Sequence, residues 1–154
     1  MKKKNIADIV IVAATSLFAL IAICCFFARG FDETTRGTGF EVIFGFYNRR
    51  TNVVPELVVA FVLQCLGVIL PWFVFALKGK AKGGLFAFIA AMLVASAVLL
   101  LFSKQLYAAH NDAINVDFDL GAGFISSIVF DFLGALVVGI GAFAGLHKTK
   151  EIED

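Results

Sequence analysis

An aspartate lies inside a long apolar segment near the end of the chain, where charged residues are rare. Asp131 is about ten residues into the segment 121–146, and Ser127 precedes it by one helical turn. An ionised carboxylate in the middle of a bilayer costs about 2.5–3.5 kcal/mol on insertion scales, so this side chain should face protein or water. Two interpretations follow: a neutral, structural Asp131, or a carboxylate that titrates or binds a cation.

Gln64 is the other strongly polar residue within an apolar segment, about nine residues into the segment 55–77. The segments 55–77 and 121–146 are the second and fourth of four and run in the same direction, so Gln64 and Asp131 should lie at similar depth. Intramembrane hydrogen bonds contribute only about 0.6 kcal/mol on average, so a bond here would fix helix orientation more than it would add stability. We predict an intramembrane polar cluster of Asp131, Gln64 and Ser127.

Other residues that could do chemistry do not form a known pattern. His110, Asp112, Asp117 and Asp119 gather near one another, but their spacing matches neither a zinc motif nor an EF-hand loop. The sequence also has no nucleophile elbow, phosphate-binding glycine loop or intramembrane zinc-protease motif. We therefore expect no metal, no cofactor and no enzymatic activity.

Four apolar segments position these side chains, and each is long enough to cross a bilayer. The segments cover approximately residues 6–28, 55–77, 84–103 and 121–146. About 20 apolar residues span the roughly 30 Å of hydrocarbon in a membrane. Because 60% of the 154 residues are hydrophobic, we predict an all-α membrane protein, with residues 1–154 forming a single four-span helix bundle. Pro71 should kink the second helix, because proline cannot donate a backbone hydrogen bond.

The basic residues predict the orientation in the membrane. Lysines or a histidine flank the segments at Lys2, Lys3, Lys4, Lys78, Lys80, Lys82, His147, Lys148 and Lys150. These positions share one face of the membrane if each segment crosses it once. The outer connections, 29–54 and 104–120, hold all four arginines together with several acids. The positive-inside rule then predicts that both termini are cytoplasmic. We expect a multi-pass protein of the plasma or cytoplasmic membrane.

Two stripes of small residues are suited to close helix packing. In the fourth segment, Gly134, Gly141 and Gly145 follow Ser127 and Asp131 at spacings of three, four or seven residues. In the third segment, small residues recur every four positions at Ala87, Ala91 and Ala95. Small side chains let helix backbones approach closely in lipid. Both stripes are predicted to pack helices, either within the bundle or between protomers.

The outer connections contain two patterns typical of β-strands. Residues 113–120 alternate apolar and polar side chains, and Phe40–Tyr47 is rich in aromatic and β-branched residues. We predict a small extracytoplasmic β-sheet whose apolar face lies on the helix ends or is covered by a partner, because two strands alone are marginally stable. The charged residues of this region form the predicted outer interaction surface: Arg49, Arg50, Asp117 and Asp119.

Four helices with a small outer sheet resemble the claudins and related tetraspan proteins in layout. The resemblance covers the placement of the longer first outer connection. Claudins carry a tryptophan, then Gly-Leu-Trp and a cysteine pair there, whereas this chain has Gly39-Phe40 and Gly45-Phe46-Tyr47. The resemblance therefore implies an architecture and transmits no function.

These features favour a non-enzymatic integral membrane subunit or scaffold that assembles through small-residue helix faces and an outer β-sheet surface. The alternative is an oligomeric proton- or cation-coupled transporter or channel that uses Asp131. Four spans are too few for the inverted repeats of an ordinary carrier, so this alternative requires oligomers. Water access to Asp131 would separate the two hypotheses. The expected partners are the lipid bilayer and either a second copy or another membrane protein, with no nucleic acid.

Overall fold

The computed structural model describes residues 3–31, 37–45, 52–111 and 119–153, and it is mostly helical. Four of its helices are long and apolar enough to cross a membrane, which confirms the predicted helical membrane architecture. The helices are α1 (Lys3–Cys24), α2 (Gly39–Phe44), α3 (Pro55–Ile69), α4 (Lys80–Leu101), α5 (Ser103–Asn111) and α6 (Ala122–Glu153). Short 3₁₀ segments, Cys25–Phe27 and Leu70–Ala76, extend α1 and α3.

Local sequence explains where α3 begins and where it changes form. Pro55 occupies the start of α3, where the missing N–H of proline has no intrahelical acceptor to lose. The α-helix ends at Ile69, and Pro71 is the second residue of the 3₁₀ segment that follows. The predicted kink at Pro71 stays a prediction. Gly79, with φ of 59°, then reverses the chain into α4.

The long helices form a ring in which chain neighbours are also spatial neighbours. Helix α1 packs on α3, α3 on α4, α4 on α6, and α6 closes the ring on α1. This is the up-down-up-down arrangement of a four-helix bundle. Helices α3 and α6 consequently lie diagonally across the bundle axis.

Two hydrophobic clusters fill the bundle, one above the other along its axis. The loop half, at the end of the bundle that carries α2 and α5, has an aromatic-rich cluster that includes Phe26, Phe31, Leu57, Leu100, Tyr107 and Phe124. The terminal half, next to the chain termini, has a mainly aliphatic cluster that includes Val12, Ala19, Phe86, Ile89, Leu93 and Val138.

The predicted outer β-sheet is wrong over the first of its two segments. Residues 39–44 form helix α2, and the described residues contain isolated bridges but no strand. Thr38 and Glu41 form a capping box, in which the Thr38 hydroxyl accepts from the Glu41 backbone N–H and the Glu41 carboxylate accepts from the Thr38 N–H. Gly45, with φ of 70°, ends the helix. Local capping therefore overrides the strand propensity of the aromatic residues.

Direct backbone contacts join the two outer connections. Phe31 and Leu120 form an antiparallel bridge, and the N–H groups of Gly121 and Gly123 donate to the carbonyls of Gly30 and Arg29. Most of the predicted strand 113–120 lies outside the described residues. The same is true of Arg49, Arg50 and Asp117, whereas Asp119 is described and is exposed.

A candidate polar site at the centre of the bundle

Four polar side chains lie between the two hydrophobic clusters and form a single polar layer. Gln64 comes from α3, Ser96 from α4, and Ser127 and Asp131 from α6, and all four have 0% of their surface exposed. Helix periodicity places them there, because each lies between residues of its helix that belong to the loop-half and terminal-half clusters. The layer is therefore enclosed by apolar packing on both sides.

Gln64 joins α3 to α6 across the diagonal of the bundle. Its Nε2 donates to Oγ of Ser127 and to Oδ2 of Asp131, and both donor–acceptor distances are 2.9 Å. The structure thus brings together the three residues predicted from the sequence. Their assignment as a functional site remains a prediction.

The two serines connect the layer to the helix backbones. Oγ of Ser96 lies 2.7 Å from Oδ2 of Asp131 and 3.1 Å from the carbonyl oxygen of Ala60. Oγ of Ser127 donates to the carbonyl oxygen of Ala22, at 3.0 Å. All four membrane-spanning helices consequently meet at this network. Such bonds fix the rotation and depth of each helix against the others.

Two oxygen atoms in the layer have no hydrogen-bond partner within the described part of the chain. They are Oδ1 of Asp131 and Oε1 of Gln64, and both atoms are buried. A buried unsatisfied acceptor costs about 1–3 kcal/mol. These acceptors are the only described oxygens of the layer that the network leaves unused.

Sequence reasoning missed Ser96, although a signal was present. It is the only hydroxyl-bearing residue between positions 84 and 101, within a segment otherwise composed of apolar residues and glycine. Serine in a membrane helix finds a partner on a neighbouring helix or on its own backbone. Its depth relative to Gln64 and Asp131 would have identified it as a third partner.

One of the two small-residue stripes is buried in the bundle, and the other is exposed. Gly134 faces Leu93 and Phe18, and Gly141 faces Ile11 and Phe86, so this stripe packs inside the bundle. The surroundings of Gly145 lie outside the described side chains.

Ala87, Ala91 and Ala95, by contrast, are exposed on the outer face of α4. Gly84 lies on the same face, and a Cβ at that position would contact nothing within 4 Å. The intramolecular bundle therefore leaves the alanine stripe exposed.

Side-chain contacts tie the helices together near both ends of the bundle. Lys82 of α4 pairs with Asp8 of α1 in the terminal half. In the loop half, Nε2 of His110 lies 2.8 Å from Oε2 of Glu56. Asn52 adds to this second contact by donating to the carbonyl oxygen of His110, at 2.8 Å. His110 therefore lies beside an acid and helps to hold α5 against the start of α3.

The described residues contain no group of three or more His, Cys, Asp or Glu side chains that could hold a metal ion. The polar layer has one carboxyl group, and it has no exposed surface through which a substrate could approach. What the layer offers chemically is therefore hydrogen bonding and one carboxyl group that can hold a proton. No protein-family model matches the chain, and no curated protein or solved structure matches it.

Proposed function

We propose that this chain is a non-enzymatic subunit or scaffold of the plasma or cytoplasmic membrane that assembles with a second copy of itself. The observation that carries the proposal is the outward alanine stripe on α4, formed by Ala87, Ala91 and Ala95. Both termini lie in the cytoplasm in this proposal, as the lysine distribution suggests.

The inward face of α4 is already used by the bundle. Phe86, Ile89, Leu93, Ser96 and Leu100 are buried in the two clusters or the polar layer. A helix that packs only inside a monomer needs no small residues toward lipid, because lipid tails accommodate large apolar side chains. Small residues at four-residue spacing instead let an identical helix approach closely, which supports a symmetric contact between two copies.

The proposed assembly does not use the outer β-sheet surface that was predicted from the sequence. A β-sheet surface is not part of this proposal, because the residues 39–44 are helical. What remains is assembly through a helix face within the membrane, where van der Waals packing drives association.

The unpartnered oxygens of Asp131 and Gln64 favour the alternative, a proton- or cation-coupled transporter. Against it stands the closed environment of the polar layer, because none of its four side chains has exposed surface. A working carrier or channel would need water to reach Asp131 in at least one of its states. We therefore retain the scaffold as the proposed function.

Native mass spectrometry after gentle extraction tests the proposal. Wild-type protein should give a defined homo-oligomer, and Ala91→Leu should shift it toward the monomer because the larger side chain keeps the helices apart. Ala13→Leu makes the same change at an exposed position of α1 and should leave the oligomer intact. Monomeric wild-type protein, or an oligomer insensitive to Ala91→Leu, would contradict the proposed interface.

Measurement of ion flux into proteoliposomes distinguishes the transporter hypothesis from the scaffold hypothesis. The scaffold proposal expects no flux above that of empty vesicles, with or without Asp131→Asn. A flux that Asp131→Asn abolishes while the oligomer persists would replace the scaffold with the transporter.

A further inference from the structure

Two hydrogen-bond acceptors in the polar layer have no donor within the described structure. Oδ1 of Asp131 and Oε1 of Gln64 are both buried without a partner in the described structure. Their residues are already joined through the other atom of each group, since Nε2 of Gln64 donates to Oδ2 of Asp131. Two oxygens cannot satisfy each other unless one of them carries a hydrogen.

The distribution of basic residues also favours a hydrogen on the Asp131 carboxyl group. The spans 6–27, 55–76 and 122–144 contain no Lys, Arg or His, and the span 80–101 has its two lysines, Lys80 and Lys82, in the first turn of α4. Lys82 pairs with Asp8, and both lysines precede Ser96 by roughly 20 Å or more along the helix, so neither compensates a negative charge on Asp131. Buried charges in a membrane are normally paired, whereas a neutral carboxyl group requires only hydrogen bonds.

We infer that Asp131 is a proton-holding site, in which the neutral carboxyl group and the Gln64 amide form a cyclic acid–amide pair. The carboxyl O–H at Oδ1 donates to Oε1 of Gln64, while Nε2 of Gln64 donates to Oδ2. The second amide hydrogen of Gln64 goes to Ser127, as the 2.9 Å contact shows. One hydrogen thus satisfies both unpartnered oxygens and leaves every other bond of the layer in place.

Ser96 fits this arrangement without a further donor. Its hydroxyl has a single hydrogen, which can be donated to Oδ2 of Asp131 at 2.7 Å. The Ala60 carbonyl, at 3.1 Å, is the more distant acceptor. Asp131 then acts as a neutral connector between α3, α4 and α6, and its proton is a structural part of the bundle.

Infrared difference spectroscopy of the protein in lipid vesicles tests this inference at neutral pH. The wild-type protein should show the C=O stretching band of a protonated carboxylic acid. Asp131→Asn should remove that band, and Gln64→Leu should move it to higher frequency because a hydrogen bond is lost. Asp8→Asn, which alters an acid paired with Lys82, is the matched control and should leave the band unchanged. Should Asp131→Asn fail to fold, ¹³C labelling of aspartate carboxyl groups would identify the band in wild-type protein.

Two results would overturn the neutral pair. One is a wild-type spectrum with no aspartic acid band, which would mean an ionised carboxylate. The other is a band that disappears when Na⁺ replaces a large organic cation, which would mean that a metal ion occupies the site. Neither result depends on the oligomeric state, so the inference and the proposed assembly fail independently.

Discussion

The loop half and the terminal half of the bundle are packed with different kinds of side chains. In the loop half, aromatic rings fill the space between helix ends and connections. Phe124 makes edge-to-face contacts with Phe26, at 5.8 Å between ring centroids, and with Phe31, at 5.4 Å. The terminal half relies on branched aliphatic residues and on glycine–side-chain contacts. Large rings are suited to the loop half because they cover irregular backbone as well as helices.

The glycines show what the difference means for tolerance to change. A Cβ at Gly123 would lie 2.7 Å from the carbonyl oxygens of Cys25 and Arg29, which are fixed backbone atoms of the loop half. A Cβ at Gly134 would instead lie 3.1 Å from the Cδ1 methyl of Leu93, the end of a flexible side chain. The loop half is thus predicted to be the less adaptable region. The polar layer between the halves sets their alignment.

The largest effect is expected for Gly123→Ala. The new methyl group would overlap backbone carbonyls that cannot move without breaking the contact between the outer connections. We expect a loss of about 3 kcal/mol, at the upper end of overpacking costs. Unfolding in detergent measures this loss, as a lower midpoint than that of the wild-type protein.

Two further glycines of α6 serve as controls for that measurement. Gly134→Ala should cost about 1 kcal/mol, because Leu93 can shift. Gly139→Ala should be neutral or slightly stabilising, because a Cβ there meets nothing within 4 Å and alanine favours helix. Equal losses at Gly123 and Gly134 would contradict the contrast between the two halves.

Gln64→Leu should have the next largest effect, because it removes the side chain that joins α3 to α6 in the polar layer. The two bonds that Nε2 donates are lost, together with the inferred bond from the Asp131 carboxyl group, and Asp131 keeps only its contact with Ser96. At roughly 0.6 kcal/mol per intramembrane bond, rising when a partner is left unsatisfied, the cost is about 1–2 kcal/mol. Val62→Leu, at a lipid-exposed position of the same helix, should be nearly neutral in the same unfolding assay. Matching midpoints for the two variants would show that the layer adds nothing to the bundle.

A smaller and local effect is expected for Thr38→Val in the loop half. Valine keeps the shape but removes the hydroxyl that accepts from the Glu41 N–H. Loss of an N-cap costs about 1 kcal/mol. Backbone amide exchange should become faster in α2 (Gly39–Phe44) and stay unchanged in α4. Faster exchange throughout the bundle would contradict a local role for this cap.

The smallest effects are expected for two partly exposed side-chain contacts, one in each half. Asp8→Asn breaks the pair with Lys82, and Glu56→Gln weakens the contact with His110. Both pairs are partly exposed, so each change should cost about 0–1 kcal/mol and less at high salt. Unfolding midpoints at low and high salt measure both. A loss from Glu56→Gln that persists at high salt would show that this contact is held mainly by hydrogen bonding.

The helical core was predictable because its signals are long and redundant. Segments of about twenty mainly apolar residues leave few alternatives to a membrane helix, and a shared depth was enough to place Gln64 near Asp131. The outer connections were harder, because aromatic residues such as Phe40 and Phe44 suit both a strand and a helix that packs on the bundle. The capping pattern of Thr38 and Glu41 was the deciding signal there, and sequence reasoning gave it no weight.

The direction of each small-residue stripe could not be predicted either. Four-residue spacing is the same for a stripe that packs inside the bundle, as at Gly134 and Gly141, and for one that faces outward, as at Ala87 and Ala91. Only the order of the helices around the ring distinguishes the two. That order depends on side-chain packing between distant segments, which periodicity does not encode.

Disulfide crosslinking along α4 in native membranes tests the proposed self-association most directly. Single cysteines would replace alanines in a variant lacking Cys24, Cys25 and Cys65. We expect crosslinked dimers for the outward positions Ala87, Ala91 and Ala95, and none for Ala90 and Ala97, which pack within the bundle. Equal crosslinking at all five positions, or none at the outward three, would contradict the claim that this face joins two copies.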